Sequence, residues 1–188
     1  MTTINPIDPE LRRDQYLYHS TQQDNIQSIL QNGIQPSTDS HRDRLEDDLA
    51  TIAADNEIAL PVTRQDCVFF YATSDRAARL TSFETDDSEM DGLQQTEGVV
   101  VIDGELITRP VYVGEFQFIS DAIDHQYMSE PDDAMISESY TAALRRYATS
   151  LTRIESLTGL EDVCNDFHLP EVIVENGVSP STVVDTVL

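Results

Sequence analysis

Lysine is absent from this chain: its 11 basic residues are all arginine, set against 35 acidic residues for a formal charge of -24. A surface so acidic repels a polyanion wherever salt is low, which excludes binding of nucleic acid by simple phosphate neutralisation under those conditions. Cysteine is nearly absent too. Cys67 and Cys164 are too few and too isolated for a disulfide framework or a zinc site, and read most simply as buried thiols. The seven glycines never approach GxGxxG or a GK[ST] ending, so neither a Rossmann loop nor a P-loop is encoded. His19, His41, His125 and His168 are scattered without HExxH or CxxC partners, and the "GVS" at Gly177 is no nucleophile elbow. No stretch approaches the roughly 20 apolar residues of a membrane span, and the first fifteen residues lack a signal-peptide core, which predicts a soluble, cytoplasmic protein with no membrane partner.

What is present argues for a folded chain despite the charge. Hydrophobic residues make up 39% of the sequence and fall in clean periods, where a disordered polyanion would have few. An acidic, lysine-free composition suits a halophilic cytoplasm at molar salt, where the Debye length is about 3 Å or less and surface charges hardly feel one another. With 188 residues, no internal repeat and no separable linker, the sequence predicts one domain over 1–188.

The strand signal at Tyr16, Leu17, Tyr18 and His19 sets Tyr16 and Tyr18 on one face, Leu17 and His19 on the other, and is expected to end at His19. Thr21 and Asp24 then form a capping-box-like helix start, Ile26, Ile29 and Leu30 an apolar stripe, and Gly33 a left-handed stop. Leu45, Leu49 and Ile52 repeat at helical spacing, "CVFFYATS" is a continuous buried strand, and "SDRAARL" restarts a helix with Ser74 as its cap. An acidic loop is expected over 84–97, strands in "GVVVIDGEL" and in "RPVYVGEFQFI", the latter alternating Tyr112, Phe116 and Phe118, and a second acidic loop in "SEPDDAMISES". Tyr140, Leu144, Tyr147, Leu151 and Ile154 mark the longest helix. The chain ends with a strand from near Glu171, a turn at Asn176 and Gly177, and a Ser-Pro helix start. Such irregular interleaving predicts an α+β fold.

Three of these segments, in order, resemble one known family. "YHSTQQDNIQSILQNGIQPS" is similar to the first strand and helix of the ADP-ribosyltransferase-like fold, "CVFFYATSDRAARL" to its "YFA" strand and following helix, and "LPEVIVENGVSPSTVV" to the ending of its DNA-directed branch. The superfamily includes the poly(ADP-ribose) polymerases. The resemblance implies mixed, antiparallel-rich sheets forming a cleft with flanking helices, and NAD as the substrate whose ADP-ribose is transferred to an acceptor, nucleic acid among the candidates. It further implies that His19, with Ser20 beside it, anchors the ribose and nicotinamide, that Phe70 takes the tyrosine position of the "YFA" strand with Tyr71 next to it, and that Glu171 is the catalytic glutamate. The physics suits those residue types: a histidine can donate to a ribose hydroxyl, an aromatic ring can stack on nicotinamide, and a carboxylate can stabilise an oxocarbenium-like ribose. His19 and Glu171 are therefore expected to converge on one cleft.

Plainer alternatives stand beside this one. His19 can be a satisfied structural group, Glu171 a solvent-facing strand residue like Glu175, and Phe69, Phe70 and Tyr71 core. An inactive nucleotide- or partner-binding module on the same fold is the second reading, because Phe70 offers no hydroxyl. An RNA 2'-phosphotransferase is a third, disfavoured because its N-terminal domain has no room ahead of Tyr16. Spacing does not rank Arg42, Arg44, Arg64 and Arg76 as the arginine of the DNA-directed branch.

Overall fold

The computed structural model describes residues 16–37, 40–72, 97–127, 133–157, 160, 163 and 167–187. Among them the chain forms an α+β fold, one antiparallel seven-stranded sheet with four α-helices. The strands are β1 (Tyr16–Gln22), β2 (Cys67–Tyr71), β3 (Glu97–Asp103), β4 (Val111–Glu115), β5 (Thr152–Ile154), β6 (Pro170–Glu175) and β7 (Val183–Val187), in the spatial order β5-β4-β6-β2-β1-β3-β7. The helices are α1 (Gln23–Asn32), α2 (Ser40–Asp55), α3 (Gln117–Tyr127) and α4 (Asp133–Ser150). No helix of the described residues is long and apolar enough to cross a membrane.

The sheet has a seam in the middle. β1 runs in continuous register with β3 from Tyr16 opposite Asp103 to Gln22 opposite Glu97, and β2 does the same with β6 from Cys67 opposite Glu175 to Tyr71 opposite Glu171. Between β1 and β2 only Tyr18 and Tyr71 are in register. The two halves share that single register pair, and beside it the Phe69 carbonyl oxygen is met by the His19 side chain.

Strand alternation separates the cores. Leu17, Val68, Phe70, Val172 and Val174 pack with Ile26 and Ile29 of α1 on one face. Cys67, Tyr112 and Ile173 pack on the other face with Leu49 of α2, Ile119 of α3, and Leu144 and Tyr147 of α4. Tyr18, Val99 and Val101 form a smaller cluster over the β1–β3 half, flanked by Tyr16 and Tyr71. Helix α1 buries Ile26 and Ile29 but leaves Leu30 exposed, and ends at Gly33 with φ 77, as its sequence predicts. A positive-φ pair, Asn176 and Gly177, makes the expected turn, and Ile34 and Val178 then exchange backbone hydrogen bonds of 3.1 and 2.9 Å.

Several local expectations differ from the structure, three of them because a distant strand claims the segment. β1 continues past His19 to Gln22, drawn out by β3, so His19 is mid-strand, and α1 starts without a side-chain cap. β4 stops at Glu115, whose carboxylate accepts from the Gln117 amide at 3.2 Å; that cap turns the chain into α3 and takes Phe116 and Phe118 off the strand. Helix α4 begins at Asp133, inside the stretch expected to be an acidic loop. It stops at Ser150, so Ile154 lies on β5, paired with Val111. The Ser-Pro segment makes a single 3-10 turn, Pro180–Thr182, and leads directly into β7, paired with β3. The helix expected over 74–80 with Ser74 as its cap, most of the loop over 84–97, and Cys164 lie outside the described residues; Glu97 opens β3.

Candidate functional site

A cavity of about 560 Å³ opens beside the seam, bordered by His19 and Ser20 of β1, Phe69, Phe70 and Tyr71 of β2, and Glu171 of β6. Every site residue expected from the sequence thus borders one space, although by sequence they lie in three distant segments. Register shows how. Glu171 is opposite Tyr71, which is opposite Tyr18, so these three share a face, while His19 and Phe70 belong to the opposite face by alternation. His19 and Glu171 nonetheless border the same cavity at the seam, where only Tyr18 and Tyr71 are in register. A smaller cavity of about 380 Å³ on the α1 side is also bordered by His19, Ser20 and Phe69.

His19 is tied across the seam. Its Nδ1 lies 2.9 Å from the carbonyl oxygen of Phe69. A carbonyl only accepts, so Nδ1 carries the proton and Nε2 of the neutral ring is an acceptor. Burial holds the His19 pKa below its usual value, against a smaller upward pull from the Phe69 hydrogen bond. The neutral form therefore prevails at neutral pH, and its Nε2 is an acceptor, whereas the sequence reading expects His19 to donate. The ring stacks obliquely on Phe70, with centroids 5.6 Å apart.

The aromatic residues divide by face. Phe70 is 1% exposed and packs in the core around Leu17 and Val68. Tyr71, on the Glu171 face, is half-buried and meets Phe116 edge-on at 6.0 Å, and both border the cavity with Phe69. The ring surface on the Glu171 face thus comes from Phe69, Tyr71 and Phe116.

Glu171 is 2% exposed, and its Oε1 accepts from Arg64 Nη1 at 2.9 Å and from the Tyr147 hydroxyl. Arg64 stands in the 3-10 turn Arg64–Asp66 just before β2, itself buried, and its Nε donates at 3.0 Å to Glu46 of α2. The Phe69 ring lies 4.4 Å from its guanidinium carbon and the Tyr147 ring 4.6 Å. A buried carboxylate is tolerated only when its charge is met in this way. Of the four arginines that spacing leaves level, Arg64 is the one within the Glu171 ion pair, and Arg44 borders the cavity from an exposed position on α2. The Arg42 side chain and Arg76 lie outside the described residues.

Glu115 fixes the approach to Glu171. Its buried carboxylate accepts from the amides of Leu169, at 2.7 Å, and of His168, while the Phe116 amide donates to Leu169 O at 2.9 Å. The segment entering β6 is therefore tied to the end of β4, which sets where Glu171 begins its strand.

Sequence reasoning left Arg64 unranked among four arginines and missed Glu46, Tyr147 and Glu115. Tyr147 is visible in the sequence only as a core position of the α4 stripe, and its phenolic oxygen is the part that matters. Among the described residues no group of histidine, cysteine, aspartate or glutamate side chains is arranged to hold a metal ion. Comparison with protein-family models, with curated proteins and with solved structures finds no match to this chain.

Proposed function

We propose that this chain binds NAD in the cavity at the β1–β2 seam and transfers ADP-ribose to an acceptor, nucleic acid or protein. One observation carries the reading: the three segments that resemble ADP-ribosyltransferases fold into the contiguous strands β1, β2 and β6, and His19, Tyr71 and Glu171 border one cavity. Its volume, about 560 Å³, falls in the range of small-ligand sites. In this reading His19 Nε2 accepts a hydrogen bond from a ribose hydroxyl, and the rings of Phe69, Tyr71 and Phe116 flank the nicotinamide. Glu171 stabilises positive charge as the bond between nicotinamide nitrogen and ribose C1′ breaks. The bonding pair leaves with nicotinamide, which becomes neutral, and the acceptor's nucleophile adds to C1′ and loses its proton. Molar salt removes the long-range repulsion that would keep a polyanionic acceptor away.

Binding without turnover is the second reading. It is favoured by Glu171 Oε1, which already accepts from Arg64 and Tyr147, and by Phe70, which has no hydroxyl.

Calorimetry with NAD and release of free nicotinamide from labelled NAD, both in molar KCl with cell nucleic acid and protein supplied as acceptors, test the proposal. Glu171→Gln should lower release at least about a hundredfold while NAD affinity falls only about tenfold, the pattern of an interaction stronger in the transition state than in the ground state. NAD binding without release supports the second reading, and no NAD binding by the unaltered protein rejects both.

A further inference from the structure

Glu46 reaches the cavity from α2, a helix that contributes none of the site residues expected from the sequence. The residue is 6% exposed and its carboxylate accepts from Arg64 Nε, while Nη1 of the same guanidinium serves Glu171. The formal charges of the three side chains alternate as negative, positive, negative. The Phe69 and Tyr147 rings pack against the guanidinium and hold it between the two carboxylates.

A carboxylate paired with an arginine of its own loses most of the field it exerts on a nearby cation. One that shares the arginine with a second carboxylate keeps more of it, whatever else surrounds the pair. Burial makes the difference durable: molar salt screens the exposed Arg44 at the cavity wall but reaches the buried Glu46–Arg64–Glu171 chain much less.

We infer that Glu46 is an electrostatic positioning residue: by sharing Arg64 with Glu171 it preserves the negative field beside the cavity and makes the site prefer a cationic pyridinium ring to its neutral counterpart. The inference rests on the NAD reading and extends it to a part of the chain the resemblance does not reach.

NAD and NADH differ at the ring by this one charge, so their affinities measured by calorimetry in molar KCl test it. The unaltered protein should bind NAD about tenfold or more tightly than NADH, the scale of one charge at close range in a partly buried site. Glu46→Gln keeps the shape and an acceptor for Arg64; it should erase most of that preference while NADH affinity changes less than about threefold. Glu46→Asp should restore it. A purely structural role would weaken both dinucleotides alike and leave the ratio unmoved, which overturns the inference but leaves the NAD reading standing. Equal affinities in the unaltered protein overturn it as well, and that result does not depend on any variant folding. If neither dinucleotide binds, the NAD reading falls, and the pair 1-methylnicotinamide and nicotinamide decides the inference. Preference for the cation, lost in Glu46→Gln, sustains it; no preference, or binding of neither, overturns it.

Discussion

The Nδ1 of His19 donates to the carbonyl oxygen of Phe69 at 2.9 Å, across the seam where β1 parts from β2. One hydrogen bond thereby closes the backbone of β2 at that point, fixes the tautomer of the imidazole and turns its Nε2 into an acceptor. Each consequence can be measured.

The first concerns pH. Burial lowers the His19 pKa in the fold, so between that value and the unfolded one of about 6.5 the unfolded chain binds more protons. Stability from this group is then complete above about 6.5 and falls as pH drops from there toward the depressed folded value. An NMR titration of the His19 ring should give a midpoint below 6.5, and a midpoint at or above it would show that the imidazole is not desolvated. NAD affinity should fall over the same transition, because a protonated Nε2 no longer accepts.

Tyr147→Phe removes the hydroxyl that donates to Glu171 and leaves the ring in its core position. The carboxylate then stays buried with one donor fewer, at a cost of about 1 to 3 kcal/mol. Chemical denaturation in molar KCl reads this directly; a change under about 0.5 kcal/mol, the level of an ordinary surface substitution, would mean that the hydroxyl does not serve the carboxylate.

Gly33→Ala probes the end of α1. The position has φ 77, and a Cβ there would collide with the carbonyl oxygen of Val178, which accepts from the Ile34 amide. The substitution should destabilise the fold by more than about 1 kcal/mol, whereas an unstrained helix-stop glycine replaced by alanine loses no more than that. An unchanged denaturation midpoint would place the Ile34–Val178 bridge elsewhere.

The acidic, lysine-free composition predicts dependence on salt. Repulsion among 35 acidic residues with 11 arginines to offset them opposes compaction unless it is screened. Between 0.1 and 3 M KCl, a span of Debye length from about 10 Å to under 3 Å, the melting temperature should rise substantially; a flat response would remove the halophilic reading.

The sequence by itself determined what short-range chemistry controls. Ile26, Ile29 and Gly33 specify α1 and its end through helical period and a left-handed stop, Cys67 to Tyr71 specify a buried strand by an unbroken apolar run, and Asn176 and Gly177 specify a turn. The same segments brought His19 and Glu171 forward as site residues. Only the tertiary structure decided how far β1 runs, that the chain after Pro180 is a strand, and that Phe116 leaves β4, because each depends on a backbone partner far along the chain or on the Glu115 cap. It alone also singled out Arg64 among the four arginines that spacing leaves level. The partners of that guanidinium are 18 and 107 residues away, and a buried ion pair leaves no period in the sequence, since its register is set by which helix and strands come to pack around it.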